Sequence, residues 1–384
     1  MKVLFVTRGF PSEKEIMIGN YEAVQAKALV AKGLDVSVLA IRWKPTRYLF
    51  FNNRIFHRKV DGVDIYEFIY VNVSERFRFL RRFCPPMSHG FRKTFNKYMR
   101  ENGLPDIVHA HIVLYAYNTL FLKTEYNLPF VITEHWTQMN TGNVSKEIEE
   151  MSIAYRYADR VICVSRALAD SLKNNFQINS IVIHNMVSDS FFKSARIPSN
   201  DNQFSFIAIG AFRKNKGFDI LIDAFAKGRF PENVCLNIVG DGEERELVES
   251  KIRTYQLSNQ VKLLGTKTPD EVNELLCHSD CFVLSSRLET FAIVVIEAMS
   301  KGLPVIATRS GGPETFLRPE HGLLVDKESV EQLSDAMKYM IRHNSDYDSV
   351  SIRKFCHSNF SQDIIVDKII EVYNNVINHK KAKA

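Results

Sequence analysis

Apolar residues are grouped in short, nearly continuous runs along the chain. In the first half these are KVLFVT (2–7), DVSVLA (35–40), VDIYEFIYV (63–71), PDIVHAHIVL (105–114), PFVITEHW (129–136), RVICVS (160–165) and IVIHNMV (181–187). In the second half they are FSFIAIGAF (204–212), CLNIVG (235–240), VKLLG (261–265), CFVL (281–284), VIA (305–307) and GLLVD (322–326). Segments with helical spacing, such as 20–32 and 291–300, separate many of them. Runs without polar alternation are expected of parallel strands covered on both faces. Strand and helix alternating through both halves predicts an α/β architecture of doubly wound sheets. Residues 41–100 are the least regular part.

The 384-residue length suits two domains. The boundaries read as 1–187 for the N-terminal domain, 188–202 for a polar linker and 203–360 for the C-terminal domain. A helix and basic tail at 361–384 are expected to pack back on the first domain. One unit dominates the second half: a strand at 281–284, a polar loop at 285–290, a helix from Phe291 and a strand at 305–307. The loop therefore lies at the carboxyl end of a parallel strand, where open α/β sheets bind ligands. The amides of Phe291, Ala292 and Ile293 at the helix start suit phosphate oxygens.

Glu289 and Glu297 frame this turn in an E-x7-E pattern. A carboxylate in a helix beside Val294, Val295, Ile296 and Ala298 is costly to bury without donors, so Glu297 either faces solvent or holds ligand hydroxyls. In the loop Gly210–Gly217, a lysine beside a glycine at a strand-to-helix turn can reach a diphosphate as a point charge. His109 and His111 alternate on one strand and share a face, and either could meet a substrate; His135 is a second histidine at a strand end. Gly19 and Asn20 open the first helix, where a glycine lets backbone approach a ligand. H-x-H without a third ligand does not make a zinc site, and Asp346-Tyr-Asp348 reads as a solvated loop.

Composition narrows the class. No apolar run is long enough to span a bilayer, the first residues read as a strand and not as a signal peptide, and the six cysteines are scattered as buried thiols of a reducing, cytoplasmic compartment. Residues 41–100 carry 14 Lys/Arg against 4 Asp/Glu, and 14 aromatics. Within 76–83, Arg76, Arg78, Arg81 and Arg82 interleave with Phe77, Phe79, Leu80 and Phe83. An anionic partner is implied. An anionic membrane surface is favoured over nucleic acid, because nothing else resembles a nucleic-acid module. An ordinary basic surface is the plainer alternative.

The frame S-S-R-x-E-T-F-x(5)-E-A-M-x-x-G-x-P-V-I-A-T-x-x-G-G over 285–312 resembles the donor-binding motif of the retaining, GT-B-fold glycosyltransferases of the family 4 type. The resemblance covers nearly the whole chain and is most specific in 204–326. It implies two Rossmann-like domains facing a central cleft and transfer of a sugar from a nucleotide-sugar donor to a glycan or lipid-linked acceptor, in surface polysaccharide or lipopolysaccharide synthesis. It implies no cofactor and no metal. Glu297 would hold ribose hydroxyls, Glu289 a sugar hydroxyl and Lys216 the diphosphate; Gly265 would seat the base. His111 is favoured at the reacting carbon, with His135, Gly19 and Asn20 on the acceptor side. Where the family carries a phosphate-loop arginine this chain has Ala211, so Arg213 or Lys214 is left to supply the second charge. A nucleotide-sugar epimerase of the same fold, or a non-catalytic nucleotide-sugar-binding protein, is the alternative reading.

Overall fold

A computed structural model describes residues 1–12, 18–45, 54–72, 86–140, 144–197 and 203–382. The chain divides into two compact units: Met1–Val164 with Leu168–Ile183 and Val366–Ala384, and Ser165–Ala167 with His184–Ile365. The basic, aromatic stretch 76–83 lies outside the described residues.

The first unit is built on eight strands: β1 (Lys2–Thr7), β2 (Asp35–Pro45), β3 (Ile55–Val60), β4 (Val63–Asn72), β5 (Ile107–His111), β6 (Phe130–Glu134), β7 (Arg160–Cys163) and β8 (Ile181–Val182). Their order is β3-β4-β2-β1-β5-β6-β7-β8. All pair in parallel except β3, which runs antiparallel to β4. This hairpin and the helix Met87–Asn102 are the regular structure in the stretch read as irregular. The turn is Asp61-Gly62, with φ of 47° and 82°, the left-handed pair that a two-residue hairpin turn requires. The helix buries Met87, Phe91, Phe95 and Tyr98, a stripe of three- and four-residue steps. The run 181–187 pairs only over Ile181–Val182, and the chain then passes into the second unit.

The second unit has six parallel strands: β9 (Phe204–Ile209), β10 (Val234–Val239), β11 (Val261–Leu263), β12 (Cys281–Leu284), β13 (Val305–Thr308) and β14 (Gly322–Val325). They are ordered β11-β10-β9-β12-β13-β14. Phe206, Leu236, Ile238, Cys281, Val283 and Ile306 pack from the sheet against Leu221, Phe225 and Met337 of the covering helices. Residues 188–197, polar enough to read as a linker, are fixed to this unit. The Lys301 ammonium, fully buried, donates to the Phe191 and Ser194 carbonyls, and Arg196 pairs with Asp280. The terminal helix Gln362–Lys381 returns its larger part to the first unit, where the Tyr373 hydroxyl bonds His109 Nδ1 at 2.6 Å.

Candidate active site

In the second unit two loops at the carboxyl ends of adjacent strands are laced together. After β9 the chain runs through Gly210 to Gly217, which sits at φ 65° because a side chain there would overlap the Ser285 carbonyl oxygen. Ser285 Oγ donates to the Lys216 carbonyl at 3.0 Å, and the Arg287 amide donates to the Asn215 carbonyl at 2.8 Å. The Arg287 guanidinium then clamps the base of the loop: it donates to both Asp219 oxygens at 2.8 Å, to Glu328 at 2.6 Å and to the Lys214 carbonyl at 2.7 Å. A fork of this shape suits a bidentate carboxylate partner.

The lacing brings Lys216 and Glu289 together. Lys216 Nζ donates to Glu289 Oε1 at 2.6 Å, and Ser286 Oγ donates to the same oxygen at 2.7 Å. The Glu289 amide in turn donates to the Ser310 carbonyl at 2.8 Å, and a Cβ on Gly312 would come within 2.6 Å of the Phe291 backbone, so the segment after β13 holds the turn from the other side. Glu297 lies on the helix Ile293–Met299 behind this turn. Its carboxyl is desolvated although the residue keeps partial exposure, and burial pushes its pKa up to about 7. Among the described residues its carboxylate has no hydrogen-bond donor.

The helix starts one residue pair later than its apolar pattern suggests. Ala292 takes a left-handed conformation at φ 71°, and the helical turns begin at Ile293. Phe291 is buried against Phe316, Phe360 and His184, so it contributes backbone and not its ring to this strand end. Arg213 and Lys214 are exposed beside the loop, as is Ala211. Gly265 has φ 69°, and a side chain there would meet nothing within 4 Å; it faces open space at the carboxyl end of β11. Asp346 bonds His343 at 2.9 Å while Asp348 caps the helix Ser349–Phe360, so this D-x-D is used by the chain itself. Among the described residues no group of three His, Cys, Asp or Glu side chains is arranged to hold a metal ion.

In the first unit the histidines separate by depth. His109 bonds Tyr373 and Thr133, and burial lowers its pKa to about 3. The His111 ring stacks on it at 4.6 Å and is fully buried. Burial and the neighbouring His109 and His135 hold it well below the usual histidine range. His135 follows β6 and keeps 18% of its side chain exposed. Its backbone is fixed by Glu134, the carboxylate before it at the same strand end, which accepts from the amides of His135, Trp136 and Val113 and from the Tyr155 hydroxyl. Gly19, at φ 66°, lets the start of the helix Asn20–Ala31 touch the backbone at Gly9 and Phe10. A cavity of about 740 Å³ bordered by Lys123, Asp159, Arg160, His379 and Lys380 opens where β7 begins, and it contains none of these side chains.

Two family profiles meet end to end on this chain. Residues 19–191 match Glycosyltransferase Family 4, and residues 189–354 match Glycosyl transferases group 1. The chain belongs to the GT-B glycosyltransferases of the family 4 type. Among relatives in this family, an uncharacterized glycosyltransferase of Methanocaldococcus jannaschii is 31% identical over 62% of the chain, and the match spans 66% of that relative, just under two thirds. Sucrose-phosphate synthase from Thermosynechococcus elongatus shares the fold at TM-score 0.77 and 17% identity, over 99% of this chain and 100% of the other. HepE of Anabaena, solved in complex with UDP-glucose, does so at TM-score 0.74 and 18% identity, over 98% and 100%.

Proposed function

We propose that the chain is a retaining glycosyltransferase that moves a sugar from a nucleoside-diphosphate sugar to a glycan or lipid-linked saccharide, without a metal ion, in the synthesis of a surface polysaccharide. The observation that carries this reading is the meeting of Lys216 and Glu289 at 2.6 Å at the strand end whose following helix carries the desolvated carboxylate of Glu297. Lys216 would neutralise the leaving diphosphate, assisted by Arg213 or Lys214, with the amides before Ile293 adding oriented donors. Glu297 would accept from ribose hydroxyls and Glu289 from a sugar hydroxyl, while Gly265 leaves room for the base.

No side chain of this site is poised as a nucleophile at the sugar carbon. The acceptor oxygen then bonds to that carbon on the face the diphosphate leaves, and the hydroxyl proton passes to the departing phosphate oxygen. Of His109, His111 and His135, His135 keeps side-chain exposure, and we assign to it, in preference to buried His111, the contact that the first unit makes with substrate. That a sugar nucleotide occupies the homologous fold of HepE supports the donor class.

Calorimetric titration with UDP-glucose, the probe bound by that relative, tests the reading. Lys216→Ala should weaken binding by about 1.5–3 kcal/mol, the range for a charge-assisted contact. Turnover should persist in EDTA. Undiminished affinity in Lys216→Ala would remove the diphosphate role, and activity lost in EDTA and restored by Mg²⁺ would overturn the metal-free step.

A further inference from the structure

The helix Asn20–Ala31 turns an unusual face inward. Glu22 is 2% exposed and Gln25, one turn later, is fully buried, alongside Ala23, Ala26 and Leu29. Among the described residues, Glu22 Oε1 and both polar atoms of the Gln25 amide find no partner, nor do the two ring nitrogens of His111 or Nε2 of His135. Leaving a buried polar atom unpaired is unfavourable, so a helix meant only to cover a sheet would carry apolar residues here. Two of the orphaned atoms face each other: Glu22 Oε1 and His135 Nε2 are 3.9 Å apart. That is about 1 Å beyond a hydrogen bond, and a side-chain rotation that closes it satisfies both. Nε2 is buried, while the side chain as a whole keeps 18% exposure.

We propose that Glu22 is a positioning residue for His135, its buried carboxylate accepting from Nε2–H so that the ring presents the lone pair of Nδ1 to the bound substrate. This rests on the substrate contact proposed for His135. Neutral imidazole has two tautomers, and the partner of one nitrogen decides which is present. The opening of the helix supports the geometry: Gly19 brings it against Gly9 and Phe10, and Glu134 fixes the His135 amide from below. The other groups around the ring are Tyr21, His111 and, through its charge, Arg8. Glu22 favours the protonated ring, while burial and Arg8 oppose it.

Isotope labelling of the histidine ring nitrogens in the full chain, without added ligand, reads the tautomer and titration of His135 by NMR, with His135→Ala assigning its signals. Wild type and Glu22→Gln should both show the Nε2–H tautomer, since the amide oxygen also accepts. Glu22→Ala should show the two tautomers in exchange. The His135 titration midpoint should move to lower pH in Glu22→Gln, where the acceptor stays and the charge is gone. Signals of His109, held by Tyr373 and Thr133, report whether the fold is kept. A tautomer and midpoint unmoved in both variants would overturn the proposal. If Glu22→Ala does not fold, an unmoved midpoint in Glu22→Gln overturns it alone. Wild-type turnover of UDP-glucose by His135→Ala would instead count against the functional placement of His135 and leave the pairing standing.

Discussion

A carboxyl group on a helix between Val294, Val295, Ile296 and Ala298 has two ways to lower its free energy: take up a proton, or meet donors. In the free protein Glu297 takes the first, with its pKa raised from 4.5 to about 7. The folded chain then holds this proton more tightly than the unfolded one, so its contribution to stability falls as pH rises from 4.5 through 7. Ribose hydroxyls would supply the second route and favour the ionised form. Affinity for UDP-glucose, whose diphosphate does not titrate in this range, should therefore rise as pH increases through 7, and the slope should vanish in Glu297→Gln. A slope common to both proteins would exclude Glu297 as its source. The backbone positions of Lys216, Glu289 and Glu297 were legible in the sequence from a strand end, a glycine and a helix start, whereas the pairing of Lys216 with Glu289 and the desolvation of Glu297 were not. The histidines were not: alternation along β5 gives the shared face of His109 and His111, but depth depends on Phe5, Tyr373 and the helix above, all distant in sequence. Glu22 escaped for the same reason, since nothing local to a helix start says that a glutamate points inward.

Strands and turns that expose their chemistry locally were read with small errors at their ends. The near-continuous apolar runs of β1, β9, β12 and β13 admit one interpretation. The hairpin of β3 and β4 was hidden because IFHRKV mixes cations with apolar residues, and its Asp61-Gly62 signal was passed over. Its cations have partners: Arg58 donates to buried Glu67, which Arg42 of β2 shares, and to the Phe10 and Pro11 carbonyls, and Lys59 donates to Asp64. The hairpin thus holds the loop that Gly19 touches. At this scale the sharpest prediction concerns Gly217. An alanine there would meet both a left-handed backbone and the Ser285 carbonyl, strain of about 1–3 kcal/mol. Gly217→Ala should lower the thermal midpoint and weaken UDP-glucose binding together, because the same contact seats Lys216. Normal binding in a destabilised variant would mean that the two loops adjust independently.

For the whole molecule, two α/β units, an uneven charge and a terminal helix returning to the first domain were read from the sequence, whereas the grouping of Ser165–Ala167 with the second unit was not. Among the described residues no helix is long and apolar enough to cross a membrane. We propose that the basic surplus of 41–100 serves attachment at an anionic membrane surface carrying a lipid-linked acceptor, each basic residue near the surface then adding about 1 kcal/mol at low salt. The full chain should sediment with phosphatidylserine-containing vesicles at low salt and release at high salt. A variant with Arg76, Arg78, Arg81 and Arg82 changed to serine should remain in the supernatant. Wild type that ignores such vesicles would point to a soluble acceptor. The terminal helix gives a separate test: Tyr373→Phe leaves His109 Nδ1 buried without its partner and should cost the first unit about 1–3 kcal/mol in denaturant unfolding, and equal stability would show that the hydroxyl is dispensable.

That helix also bears on how the protein is made. The second unit takes nearly all its residues from one continuous stretch, but the first also needs Val366–Ala384, which follows the second unit along the chain. Domains that emerge first ordinarily fold first during synthesis. Here the later unit has its full complement sooner, and the earlier one stays without the cover of Val366, Ile369, Tyr373 and Val376 until that segment emerges. A nascent chain stalled before Val366 emerges should hold a protease-resistant second unit beside a protease-sensitive first one, so the emergence of this segment, not the order in which the two units begin along the gene, would set when the first unit becomes whole.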